Sequence, residues 1–240
     1  MKKRTALITG ASRGIGKAIA KAFAAEGYDL VITCKSSEKE LTALAGELKK
    51  DRGISCRTFV GDLSDYDMAA RLFAEIKELD VLVNNAGVSY IGLLSEMPVK
   101  SWNDVIGTNL NAAFYCSKLA IPLMLQKKSG KIINISSVWG SCGASMEVAY
   151  SASKGGLNAF TRALAKELAP SSIQVNAIAC GMMDTDMNRH FSEEDITQIV
   201  SEIPADRMGA PEEAAALVLQ LCTGNTYLTG QIIQLDGGWI

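Results

Sequence analysis

Short apolar runs of strand length alternate along this chain with longer stretches whose apolar side chains recur at helical spacing. Residues 5–9, 30–33, 54–60, 80–83, 131–135, 173–178 and 232–235 read as strands. Between them, helical periodicity runs from Ile15 through Ile19, Ala22 and Phe23 to a stop at Gly27, over 38–50 on Leu41, Leu44 and Leu48, and through Met68, Leu72 and Ile76. It continues over 102–127, with Pro122 as an expected kink, over 150–168 until Pro170, and over 211–221 behind Pro211. Ser64 and Asp67 resemble a capping box for the third of these helices. Strand and helix in strict alternation predict a parallel sheet, and right-handed crossovers place helices on both of its faces. The expected fold is α/β and doubly wound, one domain over 1–240, with ligands held beyond the carboxyl ends of the strands.

Composition narrows the function classes. Charged residues make up 21% and hydrophobic residues 48%, which is globular rather than disordered. The formal charge of −2 offers no broad basic surface for nucleic acid or anionic membrane. No apolar run reaches the ~18–20 residues of a membrane span. Met1-Lys2-Lys3-Arg4 imitates the start of a signal peptide, but Gly10 ends the apolar stretch after Ala6-Leu7-Ile8 too early for one, so the expected location is cytoplasmic. The six cysteines form no C-x-x-C pair and no compact disulfide framework, and they read as buried thiols. His190 is the single histidine, which argues against a zinc centre or a Ser-His-Asp triad; no metal is expected.

Candidate site residues fall in loops after strands. Thr9-Gly10-Ala11-Ser12-Arg13-Gly14-Ile15-Gly16 joins the first strand to the first helix. Glycines there allow a tight turn and close approach of a pyrophosphate to the free N–H groups of the helix start. The second strand ends in Thr33-Cys34-Lys35-Ser36-Ser37, with no carboxylate before Glu38. A carboxylate would repel a ribose 2′-phosphate, whereas Lys35, Ser36 and Arg13 can bind one, so NADPH is expected in preference to NADH. Tyr150 and Lys154 lie four apart on one helix face. A phenol ionises near ~10, and an ammonium at ~4 Å would favour the phenolate by at most about 4 kcal/mol, roughly three pKa units. That would bring Tyr150 into range for giving a proton to a carbonyl. Ser137, after the fifth strand, could hydrogen-bond the same oxygen.

Taken together, Thr9-Gly10 through Gly16, Asn84-Asn85-Ala86-Gly87, Asn109, Ser137 and Tyr150-x-x-x-Lys154 resemble the classical short-chain dehydrogenase/reductases, along essentially the whole chain. The resemblance implies a single Rossmann-type domain with a seven-stranded parallel sheet, assembled as a homotetramer. It makes Tyr150 the proton donor, with Lys154 tuning it and holding the nicotinamide ribose. Ser137 would orient the carbonyl, and Asn109 would hold a water that relays protons. Cofactor contacts would come from Gly10, Ser12, Arg13, Gly14, Ile15, Gly16 and Lys35, from Asp62 and Leu63 at the adenine, and from Asn84, Ala86 and Gly87 near the adenosine ribose. Tyr150, Lys154, Met183 and Thr185 would complete the nicotinamide end. One departure stands out: Cys180 occupies the place of the proline expected before Gly181.

Within the family the chain looks most like 3-oxoacyl-[acyl-carrier-protein] reductases of fatty-acid synthesis, in its length, its Ser-Arg glycine turn and Tyr227-Leu228-Thr229-Gly230-Gln231. Lys127, Lys128 and Lys131 would then hold an acidic carrier protein at the mouth of the site, although Ser171-Ser172 stands where such reductases often carry an arginine. Cys180-Gly181 and the ending Asp236-Gly237-Gly238-Trp239-Ile240 resemble instead a branch acting on a 5-aminopentanone modification of elongation factor P. In both cases the substrate is a ketone carried on a protein. Trp139, Met146, Met182 and Met187 are candidates for the substrate opening, and the polar segment 187–207, which contains His190, for a lid. A non-catalytic dinucleotide sensor is the reading from another class, and it would not need Tyr150.

Overall fold

A computed structural model describes residues 3–189 and 191–240. Seven parallel strands form one sheet in the order β3-β2-β1-β4-β5-β6-β7. They are β1 (Thr5–Ile8), β2 (Asp29–Cys34), β3 (Cys56–Val60), β4 (Val81–Asn84), β5 (Gly130–Ser137), β6 (Ile173–Cys180) and β7 (Ile232–Leu235). The helices are α1 (Gly14–Ala25), α2 (Glu38–Arg52), α3 (Tyr66–Ala74), α4 (Val99–Ile106), α5 (Ala112–Lys127), the single turn α6 (Trp139–Cys142), α7 (Val148–Leu168), α8 (Glu193–Glu202) and α9 (Pro211–Cys222).

Side chains alternate across a strand, so each strand feeds both faces of a covered sheet. Ala6 and Ile8, Leu30 and Ile32, and Val81 and Val83 pack with α1, α2 and α9, on Ile19, Phe23, Leu41, Leu44 and Val218. Leu7, Val31, Leu82, Ile132 and Val175 point the other way, onto Leu72, Phe73, Cys116, Met124 and Leu164 of α3, α5 and α7. The doubly wound sheet read from the strand–helix alternation is therefore present, with seven strands as the family resemblance implies.

Local differences have local causes. The N-cap of α3 is Asp65, whose carboxylate accepts from the N–H of Asp67, and Ser64 instead donates its hydroxyl to Asp62 at 2.7 Å. The expected helix over 102–127 begins earlier, at α4, and is interrupted by a π-turn at Gly107–Asn111 before α5. A π-turn carries one extra residue per turn and is common at functional sites; here it holds Asn109 inward. The polar segment 187–207 carries a regular helix, α8, whose start is closed by reciprocal hydrogen bonds between Ser192 and Asp195. His190 lies outside the described residues. Among those residues, no helix is long and apolar enough to cross a membrane.

Candidate active site

From β1 the chain winds toward β2 and β3, and from β4 toward β5, so a crevice opens over the carboxyl ends of these two adjacent strands. A cleft of about 570 Å³ occupies it, in the size range of small-molecule sites. The turn after β1 is pinned to the end of β4 by side chains. Thr9 Oγ1 accepts from the N–H groups of Asn85 and Ala86, each at 3.0 Å, and Asn85 Nδ2 donates to the carbonyls of Thr9 and Gly10 at 2.9 and 3.0 Å.

This close approach leaves no room for side chains. Gly10 has φ +64°, and a Cβ there would lie 2.9 Å from Ala86 Cα. A Cβ on Gly16 would lie 2.3 Å from the Gly10 carbonyl oxygen. Arg13 at the N-cap of α1 makes no side-chain cap, and the first turn carries no acidic residue. The cradle thus has the space, the unpaired amides and the dipole end that a pyrophosphate requires.

Cys34, Lys35, Ser36, Ser37 and Arg13 line the neighbouring end of the cleft. Lys35 pairs with Asp62 at 2.6 Å. Burial pushes the Asp62 carboxyl up, but the Lys35 ammonium and two hydrogen bonds from Ser64 outweigh it and hold the group below its ordinary range. Arg13 approaches Asp186 at 4.0 Å and stays largely exposed.

The expected residues Gly10, Ser12, Arg13, Gly14, Ile15, Gly16, Lys35, Ala86, Gly87, Ser137, Tyr150, Lys154, Met183 and Thr185 all face this cleft. Asp62, Leu63 and Asn84 do not line it. Leu63 is packed in the α3–α5 core, and Asn84 points along the sheet, donating to Asn134 Oδ1 at 2.8 Å and Ser117 Oγ at 3.2 Å. Asn109 is buried behind the cleft wall. Its amide clamps the Val88 backbone from both sides, at 2.8 and 2.9 Å, and donates to Ser153 Oγ at 3.0 Å.

Ser137 closes β5, and its Oγ accepts from the N–H of Trp139 at 3.2 Å, with its own proton directed to the Tyr150 side of the site. Tyr150 and Lys154 come from the first two turns of α7. Lys154 Nζ donates to the Ile135 carbonyl at 2.8 Å and stands 5.6 Å from the Tyr150 ring centre. The expected depression of the phenol is not what the site shows. Burial pushes Tyr150 well above its ordinary value, opposed by the Ser137 hydrogen bond and reinforced by the charge of Glu147. Burial also lowers Lys154 to about 8, so desolvation rather than the phenol–ammonium attraction dominates both groups.

Several site residues escaped the sequence reading. Glu147 and Ser89 line the cleft, with Ser89 Oγ donating to Glu147 Oε2 at 2.6 Å. Trp239 lines it too and meets Trp139 edge to face, ring centres 5.0 Å apart. Beneath the site, a buried seam fastens α7 to β5: Asn134 donates to Thr161 Oγ1 at 2.8 Å and Ser136 to Asn158 Oδ1 at 2.6 Å. Asn and Ser inside the run Ile132-Ile133-Asn134-Ile135-Ser136 were the available signal.

Trp139, Met182 and Met187 face the opening as expected, but Met146 does not line the cleft and is exposed, with φ +62°. Lys127, Lys128 and Lys131 are at the wrong end of the molecule. Lys131 is the second residue of β5 and Ser137 its last, about 20 Å of strand apart. Lys127 pairs with Asp80 and Lys131 donates to the Asn225 carbonyl, both beside the amino ends of the strands.

Residues 4–196 match the family model described as short chain dehydrogenase. The chain is 39% identical over 238 residues to an uncharacterised oxidoreductase of Bacillus subtilis, covering 98% of each chain. It is 40% identical over 242 residues to a 3-oxoacyl-[acyl-carrier-protein] reductase of a Synechocystis strain, covering 99% of this chain and 97% of that one. Among solved structures it superposes with a TM-score of 0.94 on an NADPH-dependent reductase involved in bacilysin biosynthesis, 30% identical, covering 100% of this chain and 99% of the other.

Proposed function

The chain belongs to the short-chain dehydrogenase family, and on that premise we propose that it reduces a ketone to a secondary alcohol with NADPH. The carrying observation is the convergence of Ser137, Tyr150 and Lys154 on one cleft with a glycine cradle beside it. When bound, the reduced nicotinamide supplies the hydride to the carbonyl carbon. Tyr150 holds the proton that neutralises the developing alkoxide, and its high proton affinity keeps it protonated until that charge appears. Ser137 donates its Oγ–H to the same oxygen while one of its lone pairs accepts from the Trp139 N–H. Lys154 anchors on the Ile135 carbonyl and presents its remaining N–H groups toward the cleft.

NADPH over NADH is supported by Lys35, Ser36, Ser37 and Arg13 around the end of β2, where no strand-end carboxylate stands. Tyr150→Phe tests the reaction: turnover should fall at least a hundredfold while NADPH still binds. Unchanged turnover would remove Tyr150 as the proton donor, and a dinucleotide site with no reductase activity in the wild type would return the sensor reading. Comparable kcat/KM with NADH would remove the NADPH preference.

Two substrate readings follow. Relatives such as the Synechocystis reductase support a 3-oxoacyl thioester on acyl carrier protein. The displacement of Lys127, Lys128 and Lys131 from the mouth removes the docking lysines which that reading expected, and the ketone on modified elongation factor P is the second reading. NADPH oxidation with acetoacetyl thioesters separates them, since fast turnover selects the first. Exposed Leu93, Leu94, Val99 and Phe114 support assembly into a homotetramer, which light scattering tests.

A further inference from the structure

Arg13 and Lys35 are the cations beside the end of β2, and each already faces a carboxylate. The two are held very differently. Arg13 stands 4.0 Å from Asp186, at the limit of an ion pair, and Asp186 has a nearer partner in Arg189 at 2.5 Å. With its side chain 69% exposed, Arg13 is loosely held. Lys35 Nζ, by contrast, sits 2.6 Å from Asp62 Oδ2.

Of this second pair, only the lysine can move. The Gly61 N–H donates to the Cys34 carbonyl at 2.9 Å, which ties the residue before Asp62 to the residue before Lys35. Asp62 Oδ1 accepts from both the N–H and the hydroxyl of Ser64, at 3.0 and 2.7 Å, and the Asp62 carbonyl accepts from the Asp65 N–H at 3.1 Å. These bonds fix the carboxylate beyond β3 and leave Oδ2 for the ammonium. Lys35 has a flexible four-carbon stem and a side chain 63% exposed, and it lines the cleft, which Asp62 does not. The carboxyl is held below its ordinary range, so it is charged at neutral pH. One ammonium cannot neutralise a fixed carboxylate and a phosphate dianion together. Whichever anion holds it leaves the other uncompensated and repelling.

We propose that Asp62 is a specificity-determining residue that competes with the 2′-phosphate of the dinucleotide for Lys35, holding the affinity for that phosphate below what Arg13 and Lys35 could give together. The inference rests on the dinucleotide reading of the cleft. To the basic residues that create a preference for NADPH it adds an acidic one that restrains it.

Calorimetric binding of adenosine 2′,5′-bisphosphate and of 5′-AMP isolates this end of the cofactor, because the two differ only in the 2′-phosphate. Any contact of Asp62 with the adenine weighs equally on both. Asp62→Asn keeps an acceptor for Ser64 and removes the charge. In that variant the bisphosphate should bind about three- to fivefold tighter, the range of a partly exposed ion pair, while AMP stays within about twofold. In a Lys35→Met background the same substitution should change bisphosphate binding by less than about twofold, since no lysine is left to release. Asp62→Ser repeats the comparison if Asp62→Asn fails to melt as a folded protein. Unchanged or weaker bisphosphate binding in Asp62→Asn overturns the competition, and so does a gain that persists in full without Lys35, which would be plain repulsion. A wild type that binds both nucleotides equally, with the gain still appearing in Asp62→Asn, removes the NADPH preference and keeps the competition. Absence of binding by either nucleotide in every variant overturns both.

Discussion

Gly16→Ala sets two effects of opposite sign against each other at one atom. Gly16 is the third residue of α1, and alanine is the better helix former by ~1 kcal/mol in a helix interior. The new Cβ, however, would lie 2.3 Å from the Gly10 carbonyl oxygen, 2.5 Å from Asn85 Nδ2 and 3.0 Å from Ala11 Cα. None of these neighbours is a free side-chain end. The Gly10 carbonyl belongs to the turn, and Asn85 Nδ2 is committed to the carbonyls of Thr9 and Gly10. Relief requires opening the turn or breaking those hydrogen bonds, which costs ~1–3 kcal/mol for overpacking and ~1 kcal/mol per bond lost. The steric side wins, and the net loss should be about 2 kcal/mol, or about 4–8 °C in Tm for a chain of this length. Gly46→Ala is the control: Gly46 lies inside α2, is exposed, and a Cβ there would meet nothing within 4 Å. That variant should gain ~1 kcal/mol and melt about 2–4 °C higher. Calorimetric melting of both, with NADPH affinity from nucleotide fluorescence, reads the result. A Gly16→Ala protein that melts at or above the wild type would refute the close approach of the turn to β4.

Three further outcomes follow from particular contacts. Burial lowers Lys154 to about 8 from 10.5, so the unfolded chain binds more protons between those values and this group's contribution to stability rises with pH across that window. The Tm of wild type relative to Lys154→Met should therefore climb from pH 7.5 to pH 10, and a flat or falling difference counts against the burial. Asn84→Ala leaves Asn134 Oδ1 without its donor inside the sheet and should cost ~1–3 kcal/mol in urea unfolding, whereas a neutral effect would return Asn84 to a cofactor role. If segment 187–207 is a lid, NADPH should slow its proteolysis and Ser192→Ala, which removes the α8 cap, should speed it; equal cleavage with and without NADPH would dismiss the lid.

What could be read from the chain in advance was whatever depends on local pattern. Alternating strands and helices gave both covered faces, because residues such as Leu7 and Ile8 must point to opposite sides of a strand whatever its neighbours. Gly10 and Gly16 were legible because a turn that tight tolerates little else. The phenol was misjudged for a related reason. Four-residue spacing puts Tyr150 and Lys154 on one face but says nothing of depth, and depth decides both groups' proton affinity. Lys127, Lys128 and Lys131 failed on polarity: a basic cluster in sequence does not announce at which end of a strand it will stand, and β5 carries Ser137 to the other end.

The substrate side of the cleft was hidden for a deeper reason. The dinucleotide residues and Ser137 follow strands directly, and Tyr150 opens the long helix after β5, so the order of elements delivers them to one edge of the sheet. The wall facing the substrate is assembled from pieces with no shared local signature. Ser89 and Glu147 meet across 58 residues, and Trp139 meets Trp239 across most of the sheet's second half. Neither pair belongs to a repeating pattern; Trp139 was legible as a substrate-opening residue, whereas Ser89, Glu147 and Trp239 alone read as surface or core. In this fold the reaction is written in segments that strand order brings together, whereas the choice of ketone is written in contacts that only the closed chain creates. Substitutions at Glu147 or Trp239 should accordingly change which ketone is reduced, and those at Tyr150 or Ser137 whether any is.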